Sequence, residues 1–188
     1  MENICHRYLN LPFSIAKPDI DYSVYEKWGN FDLNYKHQDE NIQSWFSDLG
    51  LTCGKIEVFY TPPGGCLPIH ADDYDEKKRR PEDHVKINIT FGPEEATLRF
   101  WESKKTFFLQ DPSMDCLSRL TLAADEKDCK MIQEVNTNTP SLINSSILHS
   151  TYNPTDEGRW TLCFVPCMRG RVIPFSNALK VFDEFIVK

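Results

Sequence analysis

A succession of short β-rich runs between Lys55 and Pro166, turn signals between nearly all of them, and helical periodicity confined to the two ends of the chain predict a mainly-β fold. The expected architecture is a double-stranded β-helix, or jelly roll, with helices packed outside it. The chain has 188 residues, of which 40% are hydrophobic and 12% aromatic, enough to bury a substantial core within one domain. The single domain 1–188 divides into helical N-terminal support (1–54), the β-helix core (55–166) and a C-terminal segment (167–188). No internal repeat, low-complexity tract or Gly/Ser linker interrupts it, and the prolines are scattered as loop punctuation.

In HQDENIQSWFSDLGL the residues Ile42, Trp45, Phe46 and Leu49 fall at helical spacing, Asp39 offers an N-cap and Gly50 a stop. That helix has one apolar face, which a sheet would cover. From Lys55 the period changes to that of strands: KIEVFYT, HVKINITF, ATLRFWE, TFFLQ, LSRLTL, PSLINSSIL and RWTLCFVP follow one another. NALKVFDEFIV closes the chain as a second helical candidate. Trp101, Trp160, Phe107 and Phe108 read as core, because aromatic residues bury large areas in β-sandwiches.

The strand faces carry a choice. In HVKINITF, Val85, Ile87, Ile89 and Phe91 share one face and Lys86, Asn88 and Thr90 the other. The polar face either meets water or lines a barrel interior that holds a charged ligand.

The net charge of −7 offers no broad basic surface, which speaks against duplex nucleic acid or an anionic membrane as partner. The cysteines (Cys5, Cys53, Cys66, Cys116, Cys129, Cys163 and Cys167) are odd in number and contain no C-x-x-C, so reduced thiols in a cytoplasmic compartment are the expectation. The N-terminal stretch lacks the pattern of a signal peptide, and no segment has the length of a membrane span.

The stretch PGGCLPIHADDYDEKKRRPEDHVKINITF contains His70 and Asp72, separated by one residue. On an extended segment such residues point to the same side and reach one point in space. His149, in SSILHSTYN, is the candidate third ligand from a distant run. Two imidazoles and one carboxylate on one face of an octahedron suit non-haem Fe(II) with open positions; zinc accepts the same donors. The plain alternative is a solvated loop. His84 is a weaker fourth candidate, and His6 and His37 lack supporting context.

Arg159 opens the strand RWTLCFVP and shares a face with Thr161 and Cys163, opposite Trp160, Leu162 and Phe164. An inward Arg needs an anion, and its planar fork suits a carboxylate such as that of a dicarboxylate cosubstrate; an outward one would pair with Asp156 or Glu157. The run Lys77, Lys78, Arg79 and Arg80, flanked by acids, reads as a solvated loop or as a lid over the metal. Pro62, Pro63, Gly64 and Gly65 form the turn into the ligand segment.

Together, the H-x-D, the distant His149 and Arg159 in R-x-T resemble the 2-oxoglutarate and Fe(II)-dependent dioxygenase superfamily over residues 55–166. The resemblance implies that His70, Asp72 and His149 ligate Fe(II) and that Arg159 binds the far carboxylate of 2-oxoglutarate with help from Thr161. It implies an oxygenase that uses dioxygen, releases succinate and carbon dioxide, and hydroxylates a C–H bond of a small molecule or peptidyl residue. Tyr60 and Asn88 are candidate further anchors for 2-oxoglutarate, and Lys86 competes with Arg159 for the carboxylate. LHSTYNPTDEGRWTLCF is similar to the aspartyl/asparaginyl hydroxylase branch, which typically lacks the carboxylate ligand present here as Asp72; prolyl hydroxylase-like and phytanoyl hydroxylase-like branches stay open. Asp72 also disfavours halogenation. A cupin-type metal enzyme that does not use 2-oxoglutarate and a non-catalytic jelly-roll interaction protein are the alternatives. Substrate identity and oligomeric state stay open.

Overall fold

Strand alternation in this chain yields two main antiparallel sheets and a separate two-stranded hairpin, and what covers each face of the main sheets settles which side is the interior. A computed structural model describes residues 5–17, 29–32, 40–72, 74–75, 80–81, 83–109 and 121–188. In chain order the elements are β1 (His6–Tyr8), β2 (Gly29–Asp32), α1 (Glu40–Asp48), β3 (Thr52–Thr61), β4 (Ile69–Ala71), β5 (Tyr74–Asp75), β6 (Arg80–Pro81), β7 (Val85–Phe91), β8 (Thr97–Ser103), β9 (Phe107–Leu109), β10 (Thr121–Ala124), β11 (Cys129–Val135), β12 (Ser141–Asn144), β13 (His149–Tyr152), β14 (Arg159–Met168), β15 (Arg171–Val172) and α2 (Phe175–Val181). The larger sheet has the order β1, β12, β7, β14, β3, β2, with β15 paired to β14; the smaller has the order β11, β8, β13, β4, β10, β9. Most paired strands are distant in sequence, such as β3 with β14, β7 with β14 and β4 with β13, as in a double-stranded β-helix.

The apolar face of the larger sheet is its outer face. Ile56 and Val58 of β3, Trp160, Leu162 and Phe164 of β14, and Val85, Ile87 and Ile89 of β7 pack with Ile42, Trp45 and Phe46 of α1 and with Phe175 and Ala178 of α2. Each such large side chain contributes about 1.5–3 kcal/mol on burial. Because helices from both ends of the chain cover this face, the alternate residues of β3, β7 and β14 are turned toward the smaller sheet. The polar face of HVKINITF therefore lines the barrel.

The predicted helix forms as α1, with Ile42, Trp45 and Phe46 buried. Its last turn ends at Gly50, whose φ of 69° is a left-handed conformation that glycine adopts without strain. Asp39, His37, Cys116, the run Lys77, Lys78 and Arg79, and the first part of LSRLTL lie outside the described residues. The N-terminal stretch read as helical support also contributes the edge strands β1 and β2 to the larger sheet. PSLINSSIL is broken into β12 and a turn, in which Asn144 Oδ1 accepts from the Ser146 hydroxyl at 2.6 Å. The strand pattern does not mark β11, where only Val135 is buried and where apolar and polar residues do not alternate, or the short β4 and β13.

Trp101 and Trp160 are buried as expected, the first donating from its indole Nε1 to Ser150 Oγ at 2.9 Å. Phe107 and Phe108 are not core. They stand 45% and 48% exposed on β9, which is the edge strand of the smaller sheet among the described residues.

Candidate metal centre

Pairing of β4 with β13 places His70 directly opposite His149 in the smaller sheet. Their ring centroids are 4.6 Å apart. Asp72, just beyond β4, has its Oδ1 3.4 Å from His70 Nε2. Donor atoms of His70, Asp72 and His149 all lie within 4.8 Å of one another. Donors held about 2.1 Å from one metal ion are about 3 Å apart when adjacent, so the His70 and Asp72 pair already has nearly that spacing.

Backbone geometry orients both imidazoles. His70 Nδ1 lies 2.8 Å from Pro68 O and His149 Nδ1 lies 2.8 Å from Ile147 O. A carbonyl only accepts, so each Nδ1 carries the proton and each Nε2 keeps its lone pair for a cation. This is the outer support a metal-binding histidine ordinarily has. Burial, followed by the neighbouring His70, pushes the His149 imidazole down to about 4. It is therefore neutral, the form that ligates.

Burial alone would raise the Asp72 carboxyl, but the Lys86 ammonium outweighs it and holds the group well below the usual carboxylate range. Lys86 Nζ is 2.8 Å from Asp72 Oδ2 and 3.3 Å from Glu57 Oε2. Glu57 also meets Lys55 Nζ at 2.7 Å. Cys163, directly opposite both Glu57 and Asn88 in the sheet, is small and leaves room above β14 for the ion pair to close. Glu57 belongs to no sequence motif, and its one signal is a carboxylate that shares the inward parity of Phe59 and Thr61.

Arg159 is 1% exposed at the start of β14. Its Nη2 donates to Thr137 Oγ1 at 2.7 Å and to Thr90 Oγ1 at 3.4 Å, while Nε and Nη1 are buried and have no hydrogen-bond partner among the described residues. Burial lowers its guanidinium to about 10. Neither Asp156 nor Glu157 pairs with it. Thr161 faces the same way, its hydroxyl 3.2 Å from that of Thr90, which in turn bonds Thr137. Asn88 also faces inward and has a buried Oδ1 without a partner. The turn that delivers Arg159 is clamped by Asn153, whose Nδ2 donates to Pro62 O at 3.1 Å and Glu157 O at 2.7 Å. Thr137, in the irregular segment NTNTP, left no periodic signal in the sequence.

Tyr60 is on the other face. Its ring stacks on Trp160 with centroids 4.2 Å apart, among the residues under the helices. Strand parity explains this: Tyr60 is opposite Trp160, whereas Arg159 is opposite Thr61. It is thus separated from the interior by the sheet itself. His84 stays outside the cluster of ligand atoms.

The residues fit a divalent transition metal with open positions: two imidazoles with free Nε2, one charged carboxylate, and a buried guanidinium lacking an anion in the same barrel. Solved structures with a likeness to this chain include a nickel complex of ThoJ, a non-heme monooxygenase, at 17% identity over 72% of this chain and 53% of that one, with a TM-score of 0.37. EvdO2 from Micromonospora carbonacea var. aurantiaca, complexed with 2-oxoglutarate, is similar at 13% identity over 80% of this chain and 72% of its own, with a TM-score of 0.45. Oxalate oxidase in complex with the substrate analogue glycolate is similar at 12% identity over 85% and 72% of the two chains, with a TM-score of 0.36. The chain aligns with about half of the ThoJ chain, 53%. No protein-family model and no curated protein matches the sequence.

Proposed function

We propose that this protein is an Fe(II)- and 2-oxoglutarate-dependent oxygenase that hydroxylates a C–H bond of a small molecule or peptidyl residue. The observation that carries the reading is the Arg159 guanidinium, buried in the barrel that holds His70, Asp72 and His149, with two nitrogens lacking partners. A buried cation left without an anion is costly, and a carboxylate bound there would offset that cost. Arg159 would grip that carboxylate through Nε and Nη1, with Thr137 and Thr90 steering the guanidinium plane from behind and Thr161 completing the polar floor. His70, Asp72 and His149 would hold the metal.

When bound, Fe(II) with 2-oxoglutarate and dioxygen supplies oxidative decarboxylation: the substrate gains one oxygen atom as hydroxyl, and the other enters succinate as carbon dioxide leaves. The chain's own part is to aim the cosubstrate and keep the site dry. Arg159 would hold one carboxylate of a five-carbon diacid, leaving its keto acid end for the metal that His70, Asp72 and His149 would hold. Phe100 from the smaller sheet, its ring centroid 6.4 Å from that of His149, excludes water beside the ligands.

Anaerobic addition of Fe(II) and 2-oxoglutarate to the metal-free protein tests the reading. The expected result is a weak visible charge-transfer band that Arg159→Ala diminishes. Bound iron without a band would replace this reading with that of a cupin-type metal enzyme working without 2-oxoglutarate. No bound metal would leave a non-catalytic jelly roll.

A further inference from the structure

The interior holds a second cation, and its surroundings differ from those of Arg159. Lys86 rises from β7 in the larger sheet and meets Asp72, which follows β4 in the smaller one, so the ion pair crosses the barrel. The two oxygens of Asp72 are already distinguished: Oδ1 faces His70 Nε2 at 3.4 Å and Oδ2 faces Lys86 Nζ at 2.8 Å. Glu57 Oε2, at 3.3 Å, balances the remaining charge of the ammonium from the other side. Phe59 lies beneath it, with the nitrogen 5.3 Å from the ring centroid. Side-chain exposures of 18%, 17% and 6% for Lys86, Asp72 and Glu57 show that water screens this group little.

We propose that Lys86 is a positioning residue for Asp72: by occupying Oδ2 it confines the carboxylate to one-oxygen ligation and keeps a coordination position open that a two-oxygen carboxylate would close. This rests on the metal-centre reading above. A carboxylate without such a partner is free to turn and present both oxygens to a cation, which ties up a further position and strengthens the hold on the ion. Lys86 therefore exchanges metal affinity for vacancy at the metal. Its positive charge beside the site works in the same direction, because it repels the bound cation. Glu57 takes part by keeping the ammonium in place, and the ammonium, engaged by two carboxylates, is not the cosubstrate's anchor.

The test is Co(II) binding to the metal-free protein, followed by calorimetry and by the visible absorption of the bound ion, without turnover. Lys86→Met keeps the length and removes the charge. The expected result is binding at least tenfold tighter than wild type with altered d–d bands, and return of both toward wild type in Lys86→Arg, which restores a donor to Oδ2. Affinity within twofold of wild type, or weaker, together with unaltered bands would overturn the proposal. Lys86→Met leaves two carboxylates facing each other in the barrel; if that variant does not fold, Lys86→Met combined with Glu57→Gln removes the repulsion and must give the same spectral change. Wild-type protein that binds no Co(II) would instead overturn the metal centre itself, a result distinct from normal binding that Lys86→Met fails to alter.

Discussion

His70 and His149 face each other across one antiparallel pair, with each Nδ1 2.8 Å from the carbonyl oxygen two residues earlier in its own chain segment. Neither ring depends on the other for its orientation. Loss of one imidazole should therefore leave the second in place while removing the chelate. His149→Ala and His70→Ala should each weaken Co(II) binding by at least two orders of magnitude and leave the far-ultraviolet circular dichroism unchanged. Retention of wild-type affinity in either variant would place the metal elsewhere.

His149 also sets a pH dependence on the metal-free protein. Its imidazole titrates near 6.5 when unfolded and at about 4 when folded, so the unfolded chain binds the proton first. The contribution of this group to stability is complete above 6.5 and is lost as pH falls toward 4, by about 1.4 kcal/mol per pH unit at most. Chemical denaturation at intervals between pH 7 and 4 should show that slope, superimposed on the response of other groups, and His149→Gln should lack it.

Arg159→Met should not destabilise the ligand-free protein, and melts at slightly higher temperature are expected, because the substitution removes a buried charge that has two nitrogens without partners. If 2-oxoglutarate binds as proposed, it should stabilise the metal-loaded wild type by about 2.7 kcal/mol at a hundredfold excess over the dissociation constant, and the same variant should lose that stabilisation. A marked fall in ligand-free stability would mean that the guanidinium already has its counter-charge.

Thr137→Val removes the acceptor 2.7 Å from Arg159 Nη2 and leaves a further buried N–H without its short bond. A cost of about 1–3 kcal/mol is expected in the wild-type background. In the Arg159→Met background the cost should nearly vanish. Equal costs in both would show that Thr137 acts independently of the guanidinium.

Tyr60→Phe should leave the response to 2-oxoglutarate unchanged, since the ring is on the helix-covered face against Trp160. Gly158→Ala is the contrasting case: a Cβ there would come within 2.5 Å of the Tyr60 ring, so the ring stack must shift. A loss of about 1–3 kcal/mol is expected from that overpacking. Trimming Tyr60 to Leu should recover part of it, as measured by urea denaturation.

Much of the local structure was legible in the sequence. Helical spacing of Ile42, Trp45 and Phe46 marked α1, and alternation in HVKINITF and RWTLCFVP marked two central strands with their two faces. The side-by-side placement of His70 and Asp72 followed from a single-residue spacing. Weakly patterned segments were not legible: β11 has little apolar alternation, and the exposed Phe107 and Phe108 were misread because hydrophobicity does not reveal that a strand lies at an edge.

Period-two alternation determines that two faces exist, and the sequence by itself determined which residues share each. Which face became the interior was decided only by tertiary structure, because the choice depends on α1 and α2 covering Val85, Ile87 and Ile89. That single decision turned Lys86, Asn88 and Thr90 inward and sent Tyr60 outward. Long-range pairing decided the rest: register between β4 and β13 set His149 against His70, and the approach of the two sheets gave Asp72 to Lys86. A pairing between segments so far apart in the chain has no local signal, since its free energy arises only when both sheets close on the same interior.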